Sequence, residues 1–380
     1  MKNGRGYFIV FFLLLLFPLY GGIIDLALPQ LQGVSITTVL DKPTLKSTMD
    51  GTFQTTLGSF FEERLPGKNA LLRLRGQSVY TLLHTSPNTH VVRGKDDYLF
   101  EPAYMKLQTQ SDTPAPLPQI EALGQQLQRL QQKLAENDKE LYIFLTPSKA
   151  HFLPEKIPFA YAIAGRKKPE ASNYDNFMAM AEKNGLHVFD GVAYLTENEG
   201  STECPLFYKG GTHWSRVWAD KAALAFADFI AETGGHDLAK STLTEEKTEE
   251  CLYPDADIYS TCNLIQPSRE QYYAAHIETT PGTERPNVLM RGGSFMFSLW
   301  TLAEQNIFGN VDYLENMTYR TRTEERSISK MDAYDEMALM SCLDKADMLI
   351  LEVNEASINN MSFGLLEYLD AHSNAQAKGQ

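Results

Sequence analysis

Five apolar residues in succession, Leu141-Tyr142-Ile143-Phe144-Leu145, follow directly on a segment that carries Ile120, Leu123, Leu127, Leu130 and Leu134 along one face. The first is the pattern of a strand covered on both sides, as in a parallel sheet. The second, running from Leu117 to Glu136, is that of an amphipathic helix. The pairing recurs. A helical segment from about Glu170 to Lys183 precedes Leu186-His187-Val188-Phe189-Asp190, and a third helix spans Ser215 to Ala231. Val288-Leu289-Met290 leads into a helix after Ser294, and a helix near Tyr334 to Leu343 precedes Met348-Leu349-Ile350-Leu351. Helices alternating with short apolar strands predict a three-layer α/β domain with a mostly parallel sheet. In such sheets ligands gather beyond the carboxyl ends of the strands, so the residues that follow each strand are the ones to examine for chemistry.

With 380 residues, 43% of them hydrophobic, the chain can bury one large core, or a core and a small appendage. The formal charge of -14 argues against electrostatic attraction to nucleic acid. It also repels a polyanionic substrate unless a local basic groove offsets it. Lys2 and Arg5 precede an uncharged run from Tyr7 to Ile24, close to the ~20 residues that span a bilayer as a helix. The positive flank orients the bulk of the chain outside the cytoplasm, in the periplasm. The domain plan is therefore an N-terminal transmembrane helix or signal peptide over 1–28, a Pro/Thr/Ser/Gln-rich tether over 29–50 and an extracytoplasmic domain over 51–380. Within that domain, 235–285 is polar and reads as an irregular insertion. Val91 to Phe100, two β-favouring triplets around a Gly/Asp turn, predicts a hairpin. Cys204, Cys251, Cys262 and Cys342 show no zinc spacing. A Cys251–Cys262 bridge and unpaired thiols are both open.

Ser294 follows a strand on a Gly292-Gly293 turn and precedes a helix. That places a hydroxyl at a strand's carboxyl end, where main-chain N–H groups, that of Gly293 among them, can hold an oxyanion. It is equally the position of an ordinary serine cap. His213 follows Gly210 and Gly211 and stands just before the helix that Ser215 caps. An imidazole there can accept the proton of a serine distant in sequence, or simply cap and pack. Trp214 is a core residue or a sugar-stacking surface. Lys149, in Thr146-Pro147-Ser148-Lys149, contacts substrate or closes an ion pair. Glu352, Asn354 and Glu355 follow the last strand and line the same rim. Asp190, also at a strand end, is the first carboxylate to consider for orienting His213.

Taken in order, these blocks resemble the extracytoplasmic SGNH-hydrolase-like family of bacterial polysaccharide O-acetylation proteins, the AlgJ and AlgX type. Val92-Arg93-Gly94-Lys95-Asp96-Asp97-Tyr98-Leu99-Phe100 matches the family's V-x-G-K-[DN]-G-W-L-F. Pro147-Ser148-Lys149, Thr212-His213-Trp214 and Gly293-Ser294-Phe295 match in the same order, over roughly residues 50 to 360. The resemblance implies Ser294 as nucleophile, His213 as general base and acetyl as the transferred group, with no metal or other cofactor. It also implies a polysaccharide acceptor and a membrane-bound protein that supplies the acetyl donor. One position departs from the pattern. The family places Asp two residues before the histidine, and here Gly211 stands there. Another carboxylate such as Asp190 substitutes, or the site runs as a Ser–His dyad, or catalysis is lost. The expected function is O-acetylation of an extracytoplasmic polysaccharide. The alternatives are an acetylesterase of the same fold and a catalytically silent polysaccharide-binding or scaffolding protein.

Overall fold

The computed structural model describes residues 4–110, 114–164, 171–315, 318–320, 325–327, 336–366 and 369. The chain divides into two compact units, one of residues 1–93 with 257–269 and one of 94–256 with 270–380.

The first unit is helical. Two helices, α1 (Gly4–Leu15) and α2 (Phe17–Ala27), occupy the N-terminal apolar run. The single spanning helix expected there is not formed: among the described residues no helix is long and apolar enough to cross a membrane. The interruption falls next to Pro18, which stands in the first turn of α2 and has no N–H to continue the ladder from α1. Helices α3 (Thr52–Glu63) and α4 (Lys68–Leu82) follow. The carboxylate of Asp25 accepts from the N–H groups of Gly67 and Ala70 at 2.8 and 3.0 Å and so caps the start of α4. Buried Arg73 donates to the carbonyls of Pro29 and Leu264. Cys204 and Cys262 are buried free thiols and Cys251 is exposed, so the Cys251–Cys262 bridge left open by the sequence is not formed.

The second unit contains the predicted α/β domain. Its longer α-helices are α5 (Leu117–Ala135), α6 (Asn173–Asn184), α7 (Gly191–Asn198), α8 (Arg216–Gly234) and α9 (Glu336–Lys345). The longer strands are β1 (Glu140–Thr146), β2 (Val188–Asp190), β3 (Lys240–Thr248), β4 (Tyr272–Thr280), β5 (Val288–Gly292), β6 (Val311–Glu315), β7 (Thr318–Arg320), β8 (Glu325–Ser327) and β9 (Met348–Asn354). A seven-stranded sheet has the order β8-β7-β6-β5-β9-β1-β2. From β6 to β2 it is parallel, and β7 and β8 extend one edge antiparallel.

Alternate residues of the central strands face opposite cores. Tyr142, Phe144, Met290 and Ile350 join Trp214, Trp218 and Phe226 around α8 on one side. Leu141, Ile143, Leu289 and Leu349 join Ile120, Leu127 and Phe177 from α5 and α6 on the other. That two-sided burial is why the strands are apolar throughout. The expected irregularity of 235–285 is corrected in part. β3 and β4 pair antiparallel from Lys240↔Thr280 to Thr248↔Tyr272. Their alternating burial gives each strand one covered face, the condition under which a polar sequence still forms a ladder.

Candidate functional site

The parallel strands end on one rim. β5 runs into Gly293 and a short 3₁₀ helix, Ser294–Leu299, with Ser294 at its first position. The loop before α8 brings His213 to the same point, and His213 Nε2 lies 2.9 Å from Ser294 Oγ. The ring is only 4% exposed and rests among Phe295, Phe297 and Tyr253, with centroids 4.3, 5.2 and 6.3 Å away. Ser294 is half-buried. A serine hydroxyl facing an imidazole nitrogen at this distance is the arrangement that general-base activation of a nucleophile requires. The N–H of Ser294, at the start of the 3₁₀ helix, has no acceptor inside that helix.

The turn is held from behind by Glu352, a carboxylate 1% exposed near the end of β9. One of its oxygens accepts the Gly293 N–H at 2.7 Å and the other the Thr146 hydroxyl at 2.9 Å. Gly292 makes this approach possible, because a Cβ there would stand 2.6 Å from the Glu352 side chain. Gly293 is thus not the oxyanion donor expected of it: its N–H is already committed to a carboxylate.

Lys149 spends its ammonium on main chain. Its buried ammonium donates to the carbonyls of Leu99, Lys209 and Gly211 at 2.8, 2.8 and 2.7 Å. Three acceptors use all three protons, so no donor remains for a substrate. The lysine instead ties the loop that carries His213 to the start of the unit. The same loop is braced by Thr212 Oγ1 donating to Glu101 and by the Lys209 N–H donating to Glu270, both at 2.9 Å.

Trp214 is wholly buried and donates Nε1–H to Ser298 Oγ at 2.8 Å, so it offers no stacking surface to a sugar. Asn354 is spent on main chain, donating to Pro147 O and accepting from the Ala356 N–H. Asp190 caps α7, accepting the Val192 and Ala193 N–H groups at 3.0 Å and the Tyr174 hydroxyl at 2.7 Å. None of its hydrogen bonds goes to His213, because a carboxylate at a strand–helix junction is drawn first to the unpaired N–H groups of its own helix. Sequence reasoning passed over Asp255. It is 1% exposed and accepts the Arg216 N–H on Oδ1 at 2.8 Å. Only its place in a polar loop was visible beforehand.

A cavity of about 340 Å³ also opens on the rim, lined in part by Ser148, His151, Tyr174, Asp175 and Glu355. His151 Nδ1 lies 2.7 Å from Glu355 Oε2, and that hydrogen bond raises the histidine's pKa against the opposing effect of burial. Among the described residues no group of three or more His, Cys, Asp or Glu is arranged to hold a metal ion.

None of the curated proteins compared is a significant match to the sequence. Among solved structures, the O-acetyltransferase domain of Pseudomonas putida AlgJ aligns at 15% identity and a TM-score of 0.46, covering 71% of this chain and 92% of that one. Pseudomonas aeruginosa AlgX aligns at 18% identity and 0.43, covering 73% and 66%. Bacillus cereus PatB1 aligns at 14% identity and 0.46, covering 70% and 96%. Residues 91–292, more than half of the chain, match the family described as "ALGX: SGNH hydrolase-like domain, acetyltransferase AlgX", and the chain belongs to that family.

Proposed function

We propose that the protein is an O-acetyltransferase that works through an acetyl-serine on Ser294 and acts on an extracytoplasmic polysaccharide. The observation that carries this reading is the 2.9 Å approach of His213 Nε2 to Ser294 Oγ at the carboxyl rim of the sheet, in a chain of the AlgX family.

In the first half-reaction His213 takes the Ser294 hydroxyl proton on Nε2 while Oγ bonds to the acetyl carbonyl carbon of the donor. The Ser294 N–H stabilises the oxyanion. The donor's leaving oxygen then departs with the proton that His213 carries. In the second half a sugar hydroxyl gives its proton to His213 and attacks the acetyl-serine. The acetyl group leaves Oγ as an ester of the sugar, and His213 returns the proton to Ser294. A membrane-bound partner supplies the acetyl donor, because the reaction takes place outside the cytoplasm. The apolar flank of α1, with Tyr7, Phe8, Ile9, Phe11 and Leu13 all more than half exposed, supports attachment of this end of the chain to the membrane.

The test is acetyl release from 4-nitrophenyl acetate by the full chain, beside Ser294→Ala and His213→Ala, with mass spectrometry of the trapped adduct. An acetyl group on Ser294 and loss of turnover in both variants are expected. Equal rates in wild type and Ser294→Ala sink the assignment. A polysaccharide acceptor that outcompetes water separates a transferase from an esterase. The second reading, a silent polysaccharide-binding or scaffolding protein, is favoured by Gly211 in the place of the family's Asp. Polysaccharide binding without turnover would establish it.

A further inference from the structure

The carboxylate missing at position 211 has a replacement, and we infer that Asp255 is the residue that orients His213. Nε2 of the imidazole is engaged with Ser294, so Nδ1 points from the opposite side of the ring and needs an acceptor to fix the tautomer. The segment that carries Asp255 meets the histidine's loop at both of its ends. On the N-terminal end, a Cβ at Gly211 would lie 2.9 Å from the Asp255 carbonyl oxygen and 3.2 Å from that of Pro254. The 253–255 segment thus fills the space into which an aspartate at 211 would project. On the C-terminal end, Asp255 Oδ1 accepts the N–H of Arg216, three residues after His213 and the first residue of α8. The Tyr253 ring, from the same segment, is packed 6.3 Å from the imidazole.

Other carboxylates of the unit hold other partners. Half-buried Asp190 caps α7, buried Asp312 accepts from the Asn310 side chain, and Glu352 holds Gly293 and Thr146. Glu355 holds Ser148 and His151, and Asp220 pairs with Arg216. A carboxylate at the N-terminus of α8 is favoured there by the helix dipole. Gly211 is then a requirement of the arrangement. An aspartate there would collide with the main chain that carries its substitute and would place two carboxylates together. Asp255 is a positioning residue: it acts on Ser294 only through the imidazole.

The inference rests on the reading of Ser294 and His213 as a catalytic pair, and the test separates the two. Asp255→Asn keeps an acceptor for the Arg216 N–H, so the fold is retained, as circular dichroism would check. Its Nδ2 cannot accept from Nδ1–H, so the imidazole turns to the wrong tautomer. The expected loss in kcat with 4-nitrophenyl acetate is roughly 10²- to 10⁴-fold, the scale that follows when a serine protease loses its orienting aspartate. The second readout needs no turnover. With ¹⁵N-labelled histidine, the wild type is expected to show one far-downfield Nδ1 proton that is absent from both His213→Ala and Asp255→Asn. Absence of that proton from the wild type overturns the role of Asp255, as does its persistence in Asp255→Asn. If wild type and Ser294→Ala turn over equally, the catalytic reading fails, and the proton signal still decides whether Asp255 orients His213.

Discussion

Replacing Lys149 by methionine removes the ammonium that ties the His213 loop to Leu99 while nearly keeping the side chain's volume. The carbonyls of Leu99, Lys209 and Gly211 each lose a charge-assisted hydrogen bond of 2.7 to 2.8 Å inside a region where the lysine is 3% exposed. A buried acceptor left unsatisfied costs about 1–3 kcal/mol, so three cost roughly 3–9 kcal/mol. Against this, the variant no longer buries an ammonium, whose effective desolvation penalty is several kcal/mol. Taking that penalty as about 3 kcal/mol, the balance is a loss of up to about 6 kcal/mol, with about 3 kcal/mol at the middle of the range. All three tryptophans, Trp214, Trp218 and Trp300, lie in the second unit, so their fluorescence follows the unfolding of that unit alone. With a urea slope of about 3 kcal/mol per molar, a loss of about 3 kcal/mol lowers the midpoint by roughly 1 M. Release of the Gly211 carbonyl also lets the His213 loop drift. A misplacement of about 1 Å at a catalytic group costs on the order of 10²-fold, so kcat should fall by that scale with KM nearly constant. A midpoint within about 0.3 M of wild type, with unchanged kcat, would refute the reasoning: the three carbonyls would then be as well satisfied without the ammonium as with it.

Asp190→Ala removes a helix cap and the acceptor of the Tyr174 hydroxyl. It should cost about 1–2 kcal/mol in urea unfolding and leave turnover within about twofold, whereas a large loss of kcat would return Asp190 to the catalytic group. His151, whose pKa is raised by its bond to Glu355, should make its stabilising contribution in full below the ordinary histidine pKa and lose it as pH rises through the raised value. The gap in urea midpoint between wild type and His151→Gln should therefore shrink from roughly pH 6 to roughly pH 8. A gap that stays constant or widens over that range contradicts the pairing.

Much of this fold is legible in the sequence because local patterns determine it. The apolar runs at 141–145, 288–290 and 348–351 became β1, β5 and β9, and the 117–136 periodicity became α5. Ser294 and His213 were visible for the same reason: each sits at a junction of strand or loop with helix, beside glycines. The N-terminal run shows where local reading fails. Its apolar length suggested one helix, yet the chain forms two.

Which polar group each site residue meets was decided only by tertiary structure. Lys149, Gly293 and Asn354 were plausible substrate or oxyanion contacts from their positions after strands, and Trp214 from its place beside His213. Each found its partner in another part of the chain: Lys149 in 99, 209 and 211, Trp214 in 298, Gly293 in 352 and Asn354 in 147. Asp255 was hidden for the same reason, since nothing local distinguishes it from the other acids of a polar loop. Hydrophobic periodicity is a property of neighbours along the chain, and so it can be read from the sequence. A buried donor or acceptor must be satisfied by whichever group the folded chain brings within about 3 Å, and that group is set by how distant segments meet.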